Sequence, residues 1–198
     1  MRLEGRTALV TGASRGLGRA IALALAEEGV SVVLAARDGE ALEAVAATIA
    51  EIGGQALVVR CDVRDPTAVR ALADRTLRRF GRIDCAVNSA GAALRRPFGE
   101  LSLAEWNDLF ATQVAGAFLV AQAVLPTMIA AGRGNIINLT PPPDGTEISG
   151  WTAYSSAAYA LSGLTRTLAA EVRPLGINVN GLHPGGFADT ETGRAMTS

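Results

Sequence analysis

The chain contains few of the residues on which metal sites, disulfide frameworks and histidine-based catalysis depend. Its 198 residues include two cysteines and one histidine. No Cys/His cluster has the spacing of a metal site, and two cysteines do not make a disulfide framework. We therefore expect no bound metal, and any mechanism that uses a histidine must use His183.

The chain also has almost no net charge. Eighteen Lys and Arg against 19 Asp and Glu leave a formal charge of -1, which does not favour a nucleic-acid partner or a polybasic membrane anchor. The first residues lack the apolar core of a signal peptide, and we count no stretch with the roughly 18 apolar residues of a membrane span. We expect a cytoplasmic protein with neither nucleic acid nor membrane as partner.

Short apolar runs alternate with helical patterns along the chain, of which 49% is hydrophobic. The patterns predict strands at 7–10, 30–35, 56–59, 83–88, 135–139 and 177–182, and helices at 19–28, 40–52, 66–80, 102–131 and 154–173. Because the strand runs are continuously apolar, they indicate parallel strands buried on both faces. The expected fold is one three-layer α/β domain, a doubly wound parallel sheet, over residues 1–198.

A glycine-rich stretch, residues 11–18, lies directly between the first predicted strand and the first predicted helix. A phosphate pair needs backbone N–H groups at a helix N-terminus and a tight turn that a Cβ would obstruct. Gly12, Gly16 and Gly18 can supply both. This placement predicts a dinucleotide-binding loop, and the alternative is an ordinary tight strand-helix connection whose glycines serve packing.

The end of the second predicted strand indicates which dinucleotide binds. An acidic residue there would hydrogen-bond the ribose hydroxyls of NAD, but the sequence reads Ala35-Ala36-Arg37. Arg37, together with Arg15 in the glycine loop, could hold the 2′-phosphate of NADP between two guanidinium groups. We therefore expect NADP(H) as cofactor, with two solvated surface arginines as the alternative.

Residues 11–18 resemble the Thr-Gly-x-x-x-Gly-x-Gly signature of the short-chain dehydrogenase/reductase family. Further similarity follows in order at Cys61-Asp62-Val63, Asn88-Ser89-Ala90-Gly91, residues 135–139 and Pro184-Gly185, so that the resemblance spans residues 3–189. It implies a Rossmann sheet in strand order 3-2-1-4-5-6. It also implies cofactor contacts at Gly12, Ser14, Arg15, Gly16, Leu17, Gly18, Arg37, Asp62, Val63, Asn88, Ala90, Gly91, Tyr154, Pro184 and Gly185.

This strand order would place two strands between Cys61 and Cys85. At about 4.8 Å per strand their backbones would be roughly 14 Å apart, too far for a disulfide. The chain also ends before the last helix and strand that usually complete the family's fold, so we expect that part of the fold to be missing and the sixth strand to form an edge.

The family's catalytic positions are altered in this sequence. The resemblance puts the catalytic tyrosine at Tyr154, the lysine position at Ala158, the serine position at Pro141 and the asparagine position at Gln113. Thr140 could offer a hydroxyl in place of the serine. The candidate catalytic residues are therefore Tyr154, Thr140 and Gln113. His183 is a weaker candidate for acid-base work.

These changes remove specific chemistry. A free tyrosine has a pKa of ~10, and a lysine ammonium about 4 Å away would lower it by about 3 units. Alanine does not, and a proline cannot donate a hydrogen bond to an oxyanion, a donor worth ~10²-fold or more in rate. Arg95 and Arg96 could attract an anionic substrate, although two solvated charges are the simpler interpretation.

The sequence leaves three hypotheses. The first is an NADP(H)-dependent oxidoreductase that transfers hydride to or from a small carbonyl or alcohol substrate at an impaired site. The second is an inactive pseudoenzyme that binds the dinucleotide and acts as a sensing or oligomer-forming module. The third, a scaffold that binds no nucleotide, is disfavoured by the glycine loop. The long helices at 102–131 and 154–173 correspond to the family's usual subunit contacts, so we expect a homodimer or homotetramer.

Overall fold

Strands and helices alternate from the first described residue to the last in the computed structural model, which describes residues 3–140 and 149–184. The strands are β1 (Thr7–Thr11), β2 (Ser31–Ala36), β3 (Ala56–Arg60), β4 (Cys85–Asn88), β5 (Gly134–Leu139) and β6 (Ile177–Leu182). The helices are α1 (Gly16–Glu27), α2 (Gly39–Glu51), α3 (Pro66–Phe80), α4 (Leu103–Phe110), α5 (Gly116–Ala131) and α6 (Thr152–Val172). Short 3-10 turns occupy Phe98–Glu100 and Arg173–Leu175.

The six strands form one parallel sheet in the order β3-β2-β1-β4-β5-β6, which confirms the expected Rossmann topology. Thr11 at the end of β1 is paired with Ala35 of β2 on one side and with Asn88 of β4 on the other. The strand order reverses between β1 and β4. In open parallel sheets ligands bind beyond the carboxyl ends of the strands at such a reversal.

The two faces of the sheet support separate apolar cores. Leu9, Ala86 and Ile136 belong to the core that includes residues of α3 and α5, whereas Val10 and Val87 belong to the core that includes residues of α1 and α2. β1 is buried along its whole length, as continuous apolar runs predict. Burial on both faces holds the ends of β1 and β4 in fixed positions.

The prediction of continuous burial is wrong for the last two strands. Buried and more exposed residues alternate along β5, and β6 begins with the same alternation. Asn135 and Asn178 lie side by side on the exposed face, where the amide nitrogen of Asn178 donates to Asn135 Oδ1 at 3.3 Å. Alternation of this kind is typical of a sheet with one solvated face. β6 is one of the two edge strands among the described residues, and β3 is the other.

Local sequence signals fix some helix ends better than others. The carboxylate of Asp65 accepts from the N–H of Thr67 at 2.8 Å, so α3 begins at Pro66 as predicted. Ser102 and Glu105, at the three-residue spacing typical of a capping box, form one at the start of α4. The first helix begins at Gly16, three residues before the predicted start, because the last part of the glycine loop is already helical.

The predicted helix at 102–131 is interrupted. A five-residue π-turn, Ala111–Ala115, separates α4 from α5, and α5 continues through Pro126 to Ala131. The N–H of Gly116 bonds to the carbonyl of Ala111, five residues earlier. Turns of this type are rare and frequently lie at functional sites.

The expectation that no stretch could span a membrane is also wrong by length and composition. Leu103–Ala131 extends over 29 residues and includes an 18-residue window with a mean hydropathy of 1.9, of which 33% is buried. Val120, Val124 and Met128 pack into the core beneath the sheet, while Phe118 and Ile129 are exposed. The core helix of a soluble protein passes the same test, so this finding is weak evidence for a membrane.

Both cysteines are free, as the strand order requires. Cys61 follows β3 and Cys85 lies in β4, with β2 and β1 between them. Burial is the largest cause that raises the pKa of each thiol to about 11. Both side chains are therefore protonated thiols at neutral pH.

Candidate functional site

The glycine loop leaves no room for side chains at two of its positions. A Cβ added at Gly12 would lie 2.8 Å from the carbonyl oxygen of Ser89, and one at Gly18 would lie 2.8 Å from the carbonyl carbon of Gly12. Gly12 has a φ of 66° and Gly16 a φ of 55°, in the left-handed region that glycine adopts readily. The backbone therefore turns tightly against the end of β4, directly before α1.

The amino end of α1 has the features of an anion site. Arg15 precedes the helix without a side-chain cap, and the first turn contains no acidic residue. The loop positions Ser14 and Leu17 are both partly buried at this end. Backbone N–H groups and the helix dipole at such an end favour phosphate. The predicted residues of the glycine loop thus lie together, at a helix end of the kind that binds phosphate.

Thr11 joins the glycine loop to the end of β4. Its hydroxyl donates to the carbonyl of Val87 at 3.3 Å and accepts from the N–H groups of Ser89 and Ala90 at 3.2 and 3.3 Å. This holds the Asn88–Gly91 segment, which includes three predicted cofactor contacts (Asn88, Ala90 and Gly91), beside Gly12. The sequence motif includes Thr11, but only the structure assigns it this bridging role.

Arginines gather at the end of β2. Arg37 is exposed, and its carbonyl accepts a bond from Nε of Arg60 at 3.0 Å. Arg60 is the last residue of β3 and was not among the predicted site residues. Because β2 and β3 are adjacent, two guanidinium-bearing residues lie at one corner of the sheet, where these strands end.

Asp62 and Val63 follow β3, where the side chain of Asp62 forms an ion pair and that of Val63 packs in the core. The Arg64 guanidinium hydrogen-bonds the Asp62 carboxylate, with a shortest distance of 2.7 Å, and this contact is the main cause that lowers the pKa of Asp62. Val63 is buried and packs against Gly116, where an added Cβ would lie 2.7 Å from its Cγ2. Both stay near the carboxyl edge of the sheet, and the Asp62 side chain is already paired.

Tyr154 lies near the start of α6, and Ala158 lies one turn further along the same face. Tyr154 is partly buried and packs edge-to-face on Trp151, with ring centroids 5.4 Å apart. Burial raises the pKa of Tyr154 above its ordinary value near 10. No positive charge in the described part of the chain offsets this effect, and Ala158 is buried.

Gln113 lies in the π-turn and reaches the loop after β4. Its amide nitrogen donates to the carbonyl of Ala92 at 2.8 Å, and its side chain packs beside Gly91, where an added Cβ would lie 3.6 Å from its Nε2. The predicted residue is therefore at the site, where its amide braces the loop backbone.

Thr140 follows β5 and is 5% exposed. Its N–H donates to the carbonyl of Leu182 at 3.1 Å, and a Cβ added at Gly181 would lie 2.8 Å from its hydroxyl oxygen. The hydroxyl therefore packs against β6. Of the remaining predicted positions, Pro184 is exposed beyond β6, whereas Pro141 and Gly185 lie outside the described residues.

A buried chain of amides, which sequence reasoning missed, connects three elements behind the site. The amide nitrogen of Asn88 donates to Asn138 Oδ1 at 2.8 Å, and the amide nitrogen of Asn138 donates to the Thr165 hydroxyl at 2.8 Å. The Thr165 hydroxyl donates to the carbonyl of Leu161 at 2.7 Å. The Oδ1 atom of Asn88 is buried and has no partner in the described structure. The network ties β4 and β5 to the helix that carries Tyr154.

The family of the chain follows from comparison with known proteins. A model described as short chain dehydrogenase matches residues 6–198. The chain belongs to the short-chain dehydrogenase family. Its members among the relatives are dehydrogenases and reductases, so an oxidoreductase framework is shown at this level.

Two relatives are similar to this short-chain dehydrogenase over most of its length. D-threitol dehydrogenase of Mycolicibacterium smegmatis is 39% identical over 183 residues, which cover 92% of this chain and 70% of that protein. Gluconate 5-dehydrogenase of Gluconobacter oxydans is 38% identical over 194 residues, which cover 98% of this chain and 76% of that protein.

Two solved structures are close to this short-chain dehydrogenase in fold. A metagenomic short-chain oxidoreductase in complex with NADP has a TM-score of 0.90 at 36% identity, with 100% of this chain and 90% of that chain covered. An NAD+-bound xylitol dehydrogenase has a TM-score of 0.94 at 32% identity, with 99% and 76% covered. Neighbours of this fold thus bind either coenzyme.

Proposed function

We propose that this short-chain dehydrogenase binds NADP(H) and interconverts a small alcohol and its carbonyl compound at an impaired catalytic site. The observation that carries the proposal is the backbone cradle at the β1/β4 reversal, in which Gly12 and Gly18 have no space for a Cβ. A loop of this shape at a helix N-terminus fits a pyrophosphate. When bound, the coenzyme supplies the two-electron donor or acceptor.

The preference for NADP(H) rests on the charge at the end of β2. Arg37 occupies this corner and Arg60 bonds to its carbonyl, and no acidic residue follows β2 before Asp38, whose side chain accepts from the N–H of Ala41 at the start of α2. A guanidinium group matches the geometry and charge of a 2′-phosphate. One oxygen of the Asp38 carboxylate is therefore already engaged at the start of α2.

The chemical step would depend on Tyr154. Its hydroxyl would give a proton to the carbonyl oxygen, or take one from the alcohol, at its Oη atom. Because burial raises the pKa of this hydroxyl and the family's lysine position is Ala158, ionisation of the phenol is unfavourable near neutral pH. Alcohol oxidation, which needs the phenolate as base, is therefore the slower direction.

A pseudoenzyme is the second candidate function. The pairing of an intact glycine cradle with a neutral residue at position 158 favours it, because coenzyme binding and phenol ionisation depend on separate residues. In this role the domain would bind dinucleotide for sensing or assembly. Turnover by the unmodified protein that is lost in Tyr154→Phe would identify an enzyme. No turnover by the unmodified protein would identify a pseudoenzyme.

Thermal unfolding in the presence of each coenzyme tests the proposal. At 100 times its Kd, a ligand stabilises the folded state by about 2.7 kcal/mol, which raises the Tm of a domain of this size by roughly 5–11 °C. We expect NADPH to raise the Tm more than NADH at equal concentration. Arg37→Gln should remove this difference, and Arg166→Gln, an exposed arginine of α6 far from the cradle, should keep it. Equal shifts with both coenzymes in the unmodified protein would refute the NADP(H) preference.

We also propose that the chain forms a homodimer or homotetramer. Phe118 and Ile129 of α5 and Tyr159 of α6 are 47%, 44% and 46% exposed, and apolar side chains at this exposure favour association. Sedimentation equilibrium would measure the mass, and a monomer at micromolar concentration would contradict the proposal. Phe118→Glu should weaken the assembly without loss of coenzyme binding.

A further inference from the structure

The indole of Trp151 carries a buried donor without an acceptor among the residues that the structure describes. Trp151 is 3% exposed, and its Nε1 atom is buried without a hydrogen-bond partner in the described structure. Buried polar groups in native proteins are nearly always paired with protein, water or ligand. The ring lies against Tyr154, so the unpaired N–H belongs to the surroundings of the candidate catalytic hydroxyl.

The amino end of α6 adds further donors at the same place. Trp151 is the residue before the helix, which runs for 21 residues with no side-chain cap and no acidic residue in its first turn. The first bond into the helix joins the N–H of Ser155 to the carbonyl of Trp151 at 2.9 Å. The N–H groups of Thr152, Ala153 and Tyr154 precede this bond, and none donates to a group in the described residues. Such a helix end carries partial positive charge.

Two arginines of the loop after β4 lie beside the residues that precede this helix. The N–H of Arg96 donates to the carbonyl of Gly150 at 2.7 Å, which fixes the loop after β4 against the residues before α6. The Arg96 guanidinium is paired with Glu105 at 2.9 Å. The stem of Arg95 lies against Gly150, where an added Cβ would be 3.2 Å from its Cγ. Arg95 is exposed, and its stem lies beside the residue that adjoins Trp151.

We propose that Trp151, Arg95 and the amino end of α6 bind the carboxylate of the substrate, so that the site selects a hydroxy or keto acid over a neutral alcohol with the same carbon chain. The inference rests on the proposed function, because it places the reacting oxygen of the same molecule at Tyr154. An indole N–H, a guanidinium and helix N–H groups all donate, and a carboxylate is the acceptor-only group that complements them.

Indole NMR signals provide a test that does not depend on turnover. The chain has two tryptophans, so nitrogen-15 labelling gives two indole N–H cross-peaks, which Trp151→Phe and Trp106→Phe assign. D-gluconate and D-sorbitol serve as probes with the NADP+-saturated protein, because they share one carbon chain and differ only in a carboxylate against a hydroxymethyl group. We expect D-gluconate to shift the Trp151 cross-peak downfield, and the same concentration of D-sorbitol to leave it in place.

Charge variants separate the proposed contacts from a general effect of the acid. Arg95→Gln should weaken D-gluconate binding at least tenfold, while Arg166→Gln, about 18 Å along α6 from Tyr154, should leave it unchanged. The inference is overturned if both probes shift Trp151 equally, if D-gluconate shifts neither indole, or if Arg95→Gln binds D-gluconate as the unmodified protein does. Failure of NADP+ to raise the Tm would instead overturn the proposed function.

Discussion

Introducing a lysine at position 158 tests the electrostatic reasoning about Tyr154 directly. The two positions are four residues apart on α6, a spacing at which side chains are neighbours with Cβ atoms about 5–6 Å apart. In the unmodified protein burial raises the pKa of the hydroxyl, and no charge among the described residues offsets it. Ala158→Lys would add an ammonium group one helical turn away.

The size of the effect follows from Coulomb's law. At about 4–6 Å and an effective dielectric constant of 20, a positive charge stabilises the phenolate by about 3–4 kcal/mol, which equals roughly two to three pKa units. Ala158 is 2% exposed, so part of this gain offsets the cost of burying the ammonium group. We expect the apparent pKa of Tyr154 to fall by about two units.

Tyrosinate absorbance gives this pKa with little interference, since the chain has two tyrosines. The titration is best done in a Tyr159→Phe background, where Tyr154 is the remaining phenol. Ala158→Met is the matched control, because it adds a side chain of similar length without charge. Carbonyl reduction should rise in Ala158→Lys and further when Pro141→Ser is added.

The reasoning fails if Ala158→Lys and Ala158→Met show the same Tyr154 pKa. That result would mean that the ammonium group does not face the phenol, and that the resemblance has assigned the lysine position incorrectly.

Two further predictions concern stability. Gly12→Ala should lower the free energy of unfolding in urea by at least about 2 kcal/mol and abolish the NADPH-dependent rise in Tm, because φ is positive at Gly12 and the added Cβ would meet backbone. The control is Gly39→Ala, where an added Cβ meets open space, and it should change the free energy of unfolding by less than about 0.5 kcal/mol. Equal effects of the two substitutions would argue against the cradle. Burial raises the pKa of Asp84, but hydrogen bonds from Arg82 and the N–H of Thr7 outweigh it and leave the pKa lowered, so its stabilisation is present above about pH 4 and is lost as pH falls through the lowered value. Asp84→Asn should make the free energy of unfolding, measured with urea, depend less steeply on pH in that range. An unchanged dependence on pH would contradict this assignment.

Features set by neighbouring residues were predictable from the sequence. Asp65 and Pro66 fixed the start of α3, and Ser102 with Glu105 fixed the start of α4, since each signal acts within one helical turn. The glycine loop was equally readable, because its spacing reflects the turn itself. The strand order came from the family resemblance and the sheet confirms it.

Features set by distant contacts were not predictable in the same way. Asn138 bonds to residues 50 positions earlier and 27 positions later, so its role appears only once β4, β5 and α6 are assembled. The π-turn likewise places Gln113 against Ala92, a contact between residues 21 positions apart. The unpaired indole of Trp151 is a property of burial, and a tryptophan before a helix carries no signal of it in the sequence.

The π-turn at Ala111–Ala115 also limits how this segment can change in length. The hydrogen bond from the N–H of Gly116 to the carbonyl of Ala111 closes a turn that contains one residue more than a regular α-helical turn. Deleting a single residue there would restore a regular helix and rotate α4 by about 100° relative to α5. Gln113 would then leave Ala92, and the capped start of α4 would swing away from the loop that Arg96 secures. Homologous chains that keep this loop geometry are therefore expected to carry the same number of residues between Ser102 and Gly116.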